Sequence, residues 1–422
     1  MANDIGKPHN QAMNILIRIG LLMATLAVTS ACSQGESPEA AKQVLDTPAA
    51  EGSMGPNLAS GPDGTVILSW MEPAGEGTAL RYSSFGDEGW GSPATLIQGD
   101  SWFVNWADFP SVVPLSESLW GAHWLDSQPE GGYAYDVKVA MSYDGGKTWS
   151  EPFLPHFDGT PTEHGFVTLF PDTNGMGMVW LDGRKMVNEY DENDVRASGM
   201  TLRAATFGED KTPIRSSLVD DLTCDCCQTD VAVTTDGPVV VYRDRTTEEI
   251  RDIYVSRREF GEWQEGKPVS RDNWEIAACP VNGPIIRANG NQVVTTWFTA
   301  AGGSPVVKAA WSNDGAKTFS DPIEISANIP LGHIGAALHA DGTLIVAWQE
   351  KTGQGGAELL LRRVSPSGDV GDVYRMSEAA DIFAFSVPQV AVAGDNIVLV
   401  WTTQVDDVYG IQSARIPVSE FN

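Results

Sequence analysis

Four cysteines, Cys224, Cys226, Cys227 and Cys279, are the residues of this chain best suited to chemistry. The first three stand together as Cys224-Asp225-Cys226-Cys227. A bond between the vicinal Cys226 and Cys227 would be strained and easily reduced. Two readings follow. In one, Cys279 bonds one of the first three and staples two loops, as cysteines of an oxidising compartment usually do. In the other, the thiolates and the flanking His164 and His333 bind a soft metal, copper or zinc. The C-x-C-C spacing is not that of a zinc ribbon, so the second reading requires the fold to bring separate loops together.

A second constellation joins guanidinium and carboxylate groups. The chain has only 27 Lys and Arg against 56 Asp and Glu, yet Arg243, Arg245 and Arg251 fall within nine residues. Arg184 stands beside Asp182, and Arg243 and Arg245 flank Asp244, with Glu248 close behind. Planar guanidinium groups grip a carboxylate or sulfate through paired hydrogen bonds. Arg184, Arg243 and Arg245, with Asp182, Asp244 and Glu248, are therefore candidates for binding a small anionic ligand. The alternative is internal pairing that only orders the loops.

The elements that must position these residues are strands. An apolar run ending in an aromatic recurs seven times, at Trp70, Trp124, Trp180, Tyr242, Trp297, Trp348 and Trp401, spaced about 50 to 62 residues apart. Six of the runs follow a tight-turn dipeptide such as Asp63-Gly64 or Asp341-Gly342. A third strand comes after each aromatic, as in Val137–Met141 and Val307–Trp311, and a fourth as in Ala94–Ile97. The last repeat lacks a fourth strand, and Lys42–Leu45 has the pattern to supply it. Pairing the chain ends would close the ring and remove an exposed edge. The expectation is an all-β, seven-bladed β-propeller over 41–422; six blades plus an appended pair of strands is the alternative.

Two octets refine this picture. Ser142-Tyr143-Asp144-Gly145-Gly146-Lys147-Thr148-Trp149 and Ser312-Asn313-Asp314-Gly315-Ala316-Lys317-Thr318-Phe319 share Ser-x-Asp-Gly-x-Lys-Thr and an aromatic. They resemble the Asp-box (bacterial neuraminidase repeat) of sialidase-like propellers. The resemblance implies that Asp144, Gly146, Trp149, Asp314 and Phe319 build turns between third and fourth strands. It also implies that the active face is the opposite one, lined by entries to first strands and by second-to-third loops. Counting back from each first-strand turn puts Asp108, His164, Cys227, Cys279 and His333 in one register on that rim. The aromatics Trp102, Phe103, Trp106, Trp274, Phe383 and Phe385 lie near the same rim and suit sugar stacking or partner contact.

Sialidases of this kind hold the substrate carboxylate with three Arg, attack with a Tyr activated by a Glu, and use an Asp as acid. They have six blades and an Arg-Ile-Pro signature near the first. Here the only Arg-Ile-Pro is Arg415-Ile416-Pro417, at the far end of the chain. Tyr190 with Glu192 is the candidate nucleophile pair and Asp108 the candidate acid. The Asp-boxes thus point to the fold more firmly than to sialoside hydrolysis.

Arg18 and the apolar run Ile19–Val28 lead to Thr29-Ser30-Ala31-Cys32, which resembles a bacterial lipoprotein signal. The expectation is a signal over 1–31, lipidation at Cys32, a linker to residue 40 and residence in the cell envelope. Ser33 favours the outer membrane, facing periplasm or exterior. A net charge of −29 repels nucleic acid and anionic lipid surfaces, leaving the lipid as the membrane contact of a monomer. Three function classes stand: a glycan-binding or glycan-hydrolysing protein, a metal or thiol-redox protein, and a protein-interaction scaffold.

Overall fold

Short amphipathic runs separated by positive-φ turns can bury their apolar faces only by stacking sheet on sheet. The computed structural model describes residues 42–188, 194–352, 356–377, 382 and 385–421. The signal segment, Cys32, the linker, Tyr190, Glu192 and Phe383 lie outside the described residues. The unit from Ser37 onward holds seven antiparallel sheets, one for each repeat. Their first strands (Met54–Ser60, Ser111–Pro114, His164–Asp172, Asp230–Thr234, Ile285–Asn289, Pro330–Leu338 and Gln389–Ala393) line the middle of the ring. They enclose a central channel of about 760 Å³. Among the described residues no helix is long and apolar enough to cross a membrane.

The ring closes as the sequence predicts. Gln43, Val44 and Leu45 pair with Arg415, Ala414 and Ser413, which supplies the fourth strand of blade seven from the N-terminal side. Blade two is the exception to four strands. Its fourth position is reduced to a bridge between Phe153 and Val139.

The core lies between blades rather than within them. Apolar residues of the second and third strands mesh with the next sheet, as Leu125, Val137 and Met141 do with Met176 and Trp180. The recurring aromatics Trp70, Trp180, Trp297 and Trp348 are fully buried, which forces their indole N–H groups to find acceptors. In three blades an acid two residues further on accepts this bond. Glu72 takes it from Trp70 at 3.0 Å, Asp182 from Trp180 at 2.9 Å and Glu350 from Trp348 at 2.8 Å. Asp244 holds the same position in blade four, but its aromatic is Tyr242, whose hydroxyl donates to Asp220 instead.

The two octets form matching turns. Asp144 Oδ1 accepts from the backbone N–H groups of Lys147 and Thr148, and Asp314 Oδ1 does the same for Lys317 and Thr318. Ser142 and Ser312 accept from the N–H groups of Gly146 and Ala316, each at 2.9 Å. Trp149 packs edge-on against Tyr82 of blade one, and Phe319 packs into the core between blades four and five. Because these turns follow third strands, they lie on the face away from the first-strand entries.

Candidate functional site

Three groups of side chains occupy the opposite rim. The first joins blades two and three. Tyr135 opens the third strand of blade two and is fully buried against Phe103, their rings stacked 4.1 Å apart. Its hydroxyl lies 3.0 Å from Asp108 Oδ2 and 2.8 Å from Glu163 Oε1. Asp108 Oδ1 accepts from Phe166 N–H at 2.8 Å, fixing a bulge at the start of blade three. Gly165 makes this approach possible, since a Cβ there would lie 1.9 Å from Asp108 Oδ2. In blade six Asn282 accepts from His333 N–H at 2.6 Å, the same job between the next pair of loops. Asp108 thus borders the channel but is held by its partners, whereas Glu163 is only partly covered. Burial pushes the Asp108 carboxyl up to about 7 against those two bonds. Burial likewise pushes Glu163 up to about 7, with the nearby Asp225 charge adding to it.

The second group fills the entry to blade three. His156 and His164 stack with ring centres 4.0 Å apart. Asp158 lies 3.3 Å from His156 Nδ1 and 3.2 Å from His164 Nε2. Arg184 grips Asp182 with two bonds of 2.6 Å and reaches Asp158 at 3.2 Å. Burial opposes charging of His164, but Asp158 and Asp182 win and raise it. These same atoms pack closely enough to hold a cation, yet the two arginine–aspartate contacts and the histidine contacts already satisfy most of them. Arg203 lies beside Arg184, partly exposed, with its Nε 3.9 Å from Asp182 Oδ1 and making no hydrogen bond.

The third group spans blades four and five. Cys224, Cys226 and Cys227 bring their sulfurs within 4.8 Å of one another, and Cys279, outside that triangle, has its thiol lowered by the neighbouring Cys226. Arg251 Nη1 donates to Cys224 Sγ at 3.6 Å. Glu249 binds both Arg251, at 2.9 Å, and Arg245, which also meets Asp225 at 3.0 Å. Burial works against ionising Cys224, but the bonds from Cys226 and Cys227 and the charges of Arg251 and Arg243 hold its thiol well below the ordinary range. Burial pushes Cys227 up, while the neighbouring Cys226 lowers Cys279.

The rim residues read from the sequence therefore separate into neighbourhoods. Three of the four thiols come together, with Cys279 beside Cys226. His164 joins the blade-three carboxylates, and His333 lies against Trp106 and Phe385, where burial pushes it down to about 4. Arg243 points inward: its bonds go to the carbonyls of Asn282, Arg251 and Phe298. Asp182 accepts its blade's indole bond. Asp244 is buried and pushed up to about 7 by that burial and by Asp220. Glu248 sits at an exposed loop tip, accepting from Thr247 at 2.9 Å. Tyr135, Glu163, His156 and Asp158 escaped the sequence reading. The acid and tyrosine flanking blade entries were the available signal.

No protein-family model and no curated protein matches the chain. Solved structures do. A protein of unknown function from Dyadobacter fermentans aligns with a TM-score of 0.50 at 13% identity, over 90% of this chain and 98% of that one. A polysaccharide lyase, an ulvan lyase bound to -[GlcA(1-4)Rha3S]-, aligns with a TM-score of 0.55 at 11% identity, over 89% and 96%. A puromycin-hydrolysing peptidase from Mycobacterium tuberculosis aligns with 0.51 at 12%, over 87% and 52%. The chain is a β-propeller. At such identities the likeness stops at the fold, which a lyase and a peptidase both share.

Proposed function

We propose that this protein is a sialidase-like propeller that hydrolyses an anionic glycan at the rim above blades two to four. The observation that carries the reading is the Tyr135 hydroxyl bridging Glu163 and Asp108 at 2.8 and 3.0 Å. Glycosidic hydrolysis needs a carboxyl that is protonated near neutrality to give a proton to the leaving oxygen. Glu163 is pushed into that range and is partly open to solvent. Tyr135 and Asp108 are positioning residues behind it. Arg184 and Arg203 offer partly exposed guanidinium groups on the neighbouring blade to the substrate's anionic group. The ulvan lyase, a propeller seen with an anionic sugar, supports the substrate class. The lipoprotein-like segment ending in Cys32 supports a place in the cell envelope.

The test is release of reducing ends from a panel of fluorogenic sialosides and uronides and from sulfated polysaccharides. Glu163→Gln is expected to lower turnover about hundredfold or more, with the melting temperature little changed. Arg184→Ala should raise KM for anionic substrates more than it lowers kcat. Wild-type protein that neither cleaves nor binds any of these glycans, or a Glu163→Gln protein with unaltered turnover, overturns the reading.

A further inference from the structure

The thiol group has no part in glycan hydrolysis, and its geometry points to a separate property. We propose that Cys224, Cys226, Cys227 and Cys279 bind one thiophilic d10 cation, Zn²⁺ or Cu⁺, through their sulfur atoms.

The spacing of the sulfurs is the first argument. Cys224 Sγ and Cys226 Sγ are 4.0 Å apart, and Cys227 Sγ completes a triangle with no edge above 4.8 Å. Sulfurs bound tetrahedrally to zinc at about 2.3 Å lie about 3.8 Å from one another. Sulfurs joined in a disulfide lie about 2 Å apart. The Cys224–Cys226 edge is close to the first spacing, and each sulfur of the triangle faces two others, which suits a shared ion rather than pairs.

The loops are built to hold this arrangement. Cys224 directly follows the last strand of blade three, and its N–H donates to Arg243 O at 3.0 Å. Cys227 leads through Gln228 into blade four. Gln228 donates to Ala107 O at 2.8 Å and accepts from Gly283 N–H at 3.1 Å, tying the blade-four entry to the blade-five entry that carries Cys279. Gly283 is required there, because a Cβ would lie 2.1 Å from Gln228 O. Cys224 and Cys227 are buried, Cys226 is half-buried and Cys279 is exposed, so Cys279 stands at the lip through which an ion would enter.

Charge is the third argument. Several thiolates in one covered pocket repel each other unless cations lie close. Arg251 reaches Cys224 Sγ directly, and Arg243 is buried nearby with the rest of its bonds on neutral carbonyls. A donor to a metal-bound sulfur is the kind of outer contact that orients such ligands. The set contains sulfur alone, since the nearest carboxylates are engaged by Arg245 and Arg251. An all-sulfur set selects soft d10 ions over calcium, magnesium or manganese.

The experiment isolates the full chain under argon and measures metal by mass spectrometry, with Zn and Cu as separate arms. Thiols are counted by alkylation before and after denaturation with chelator. The expected result is about one Zn or Cu per chain, with the four thiols alkylated only after denaturation. Cys279→Ser, at the exposed position, should fold normally and lose metal to a competing chelator roughly ten- to a hundredfold more readily. A peptide map with disulfides among these cysteines and no metal overturns the proposal. So do four free thiols that take up neither Zn²⁺ nor Cu⁺, and so does a Cys279→Ser protein that keeps its metal as tightly as the wild type. None of these readouts depends on glycan turnover, so this proposal and the glycan proposal fail separately.

Discussion

Asp314 and Asp108 are the same residue type on opposite faces of one ring, and their surroundings treat them oppositely. Asp314 sits in a self-contained turn with two backbone N–H donors and hydroxyls from Ser312 and Thr318. Those donors outweigh burial and hold its carboxyl well below the usual range. Asp108 is covered and bonds across a blade boundary to Phe166 and within its own blade to Tyr135, and burial drives it up. A carboxylate that gathers donors from its own octet stabilises a local turn. One that also takes a donor from the next blade fixes the relative placement of blades and holds its proton to higher pH. The two faces thus divide local folding from inter-blade positioning.

Removing Asp108 tests that division most strongly. Asp108→Ala leaves the Phe166 N–H without its acceptor in a covered site and the Tyr135 hydroxyl with Glu163 alone, a loss of about 2–3 kcal/mol by the cost of unmade buried bonds. Asp108→Asn is expected to stay within about 1 kcal/mol of wild type, because Asn282 already serves the equivalent bulge at His333. Denaturant unfolding of both variants reads the difference. Equal destabilisation by Asn and Ala would mean that the charge, not the acceptor, matters.

The pH dependence of stability should separate the faces next. Asp108 and Glu163 keep protons in the folded state to about pH 7, where the unfolded chain has already lost them. The folded state binds more protons there, so stability falls as pH rises from about 4 to about 7. His164, raised by Asp158 and Asp182, adds stability that is fully present below its unfolded value and is lost above its folded one. Asp144, lowered to about 2 by Thr148 and its other turn donors, acts in the opposite sense. Its contribution is present above the unfolded carboxylate value and fades as pH falls through about 2. Melting temperatures across pH 3–8 are therefore expected to peak on the acidic side of neutrality. Asp108→Asn should flatten the decline between pH 5 and 7; an unchanged slope would assign that decline elsewhere.

Much of this ring was legible because propeller blades repeat. The turn dipeptides, the aromatic ends of second strands and the orphan strand near Val44 sufficed for seven closed blades. The meeting of Cys279 with Cys224–Cys227 followed from the same register. The failures have one physical cause: register gives the height of a residue on the rim, not the direction of its side chain. Arg243 sits at the rim but turns into the core because carbonyls of Asn282 and Phe298 await it. Asp182 belongs to an indole bond that repeats in Glu72 and Glu350. His164 and His333 share a height with the thiols but point to different neighbours. Blade two lost its fourth strand to Phe153 alone, which no turn signal announces.

On the quiet face the expected effects are smaller. Asp314→Ala removes acceptors from an exposed turn, a loss of about 1 kcal/mol on the scale of a lost helix cap, and should leave any turnover at the rim unaltered. The smallest effect concerns the fifth position of each octet. Gly146 adopts φ +78° and Ala316 φ +63°, so one turn pays for a left-handed alanine that the other avoids. The left-handed region costs an L-residue about 1–2 kcal/mol, of which glycine's greater unfolded freedom returns part. Ala316 is buried, so its methyl also contributes packing. Ala316→Gly is therefore expected to gain at most about 0.5–1 kcal/mol. The reverse change is not symmetric. A Cβ at Gly146 would lie 2.8 Å from the Trp120 ring, whereas the Ala316 methyl is already packed in the core between blades four and five. Gly146→Ala should therefore cost more than Ala316→Gly gains. If the two changes proved equal and opposite in denaturant unfolding, backbone strain alone would govern the turn and the Trp120 contact would count for nothing.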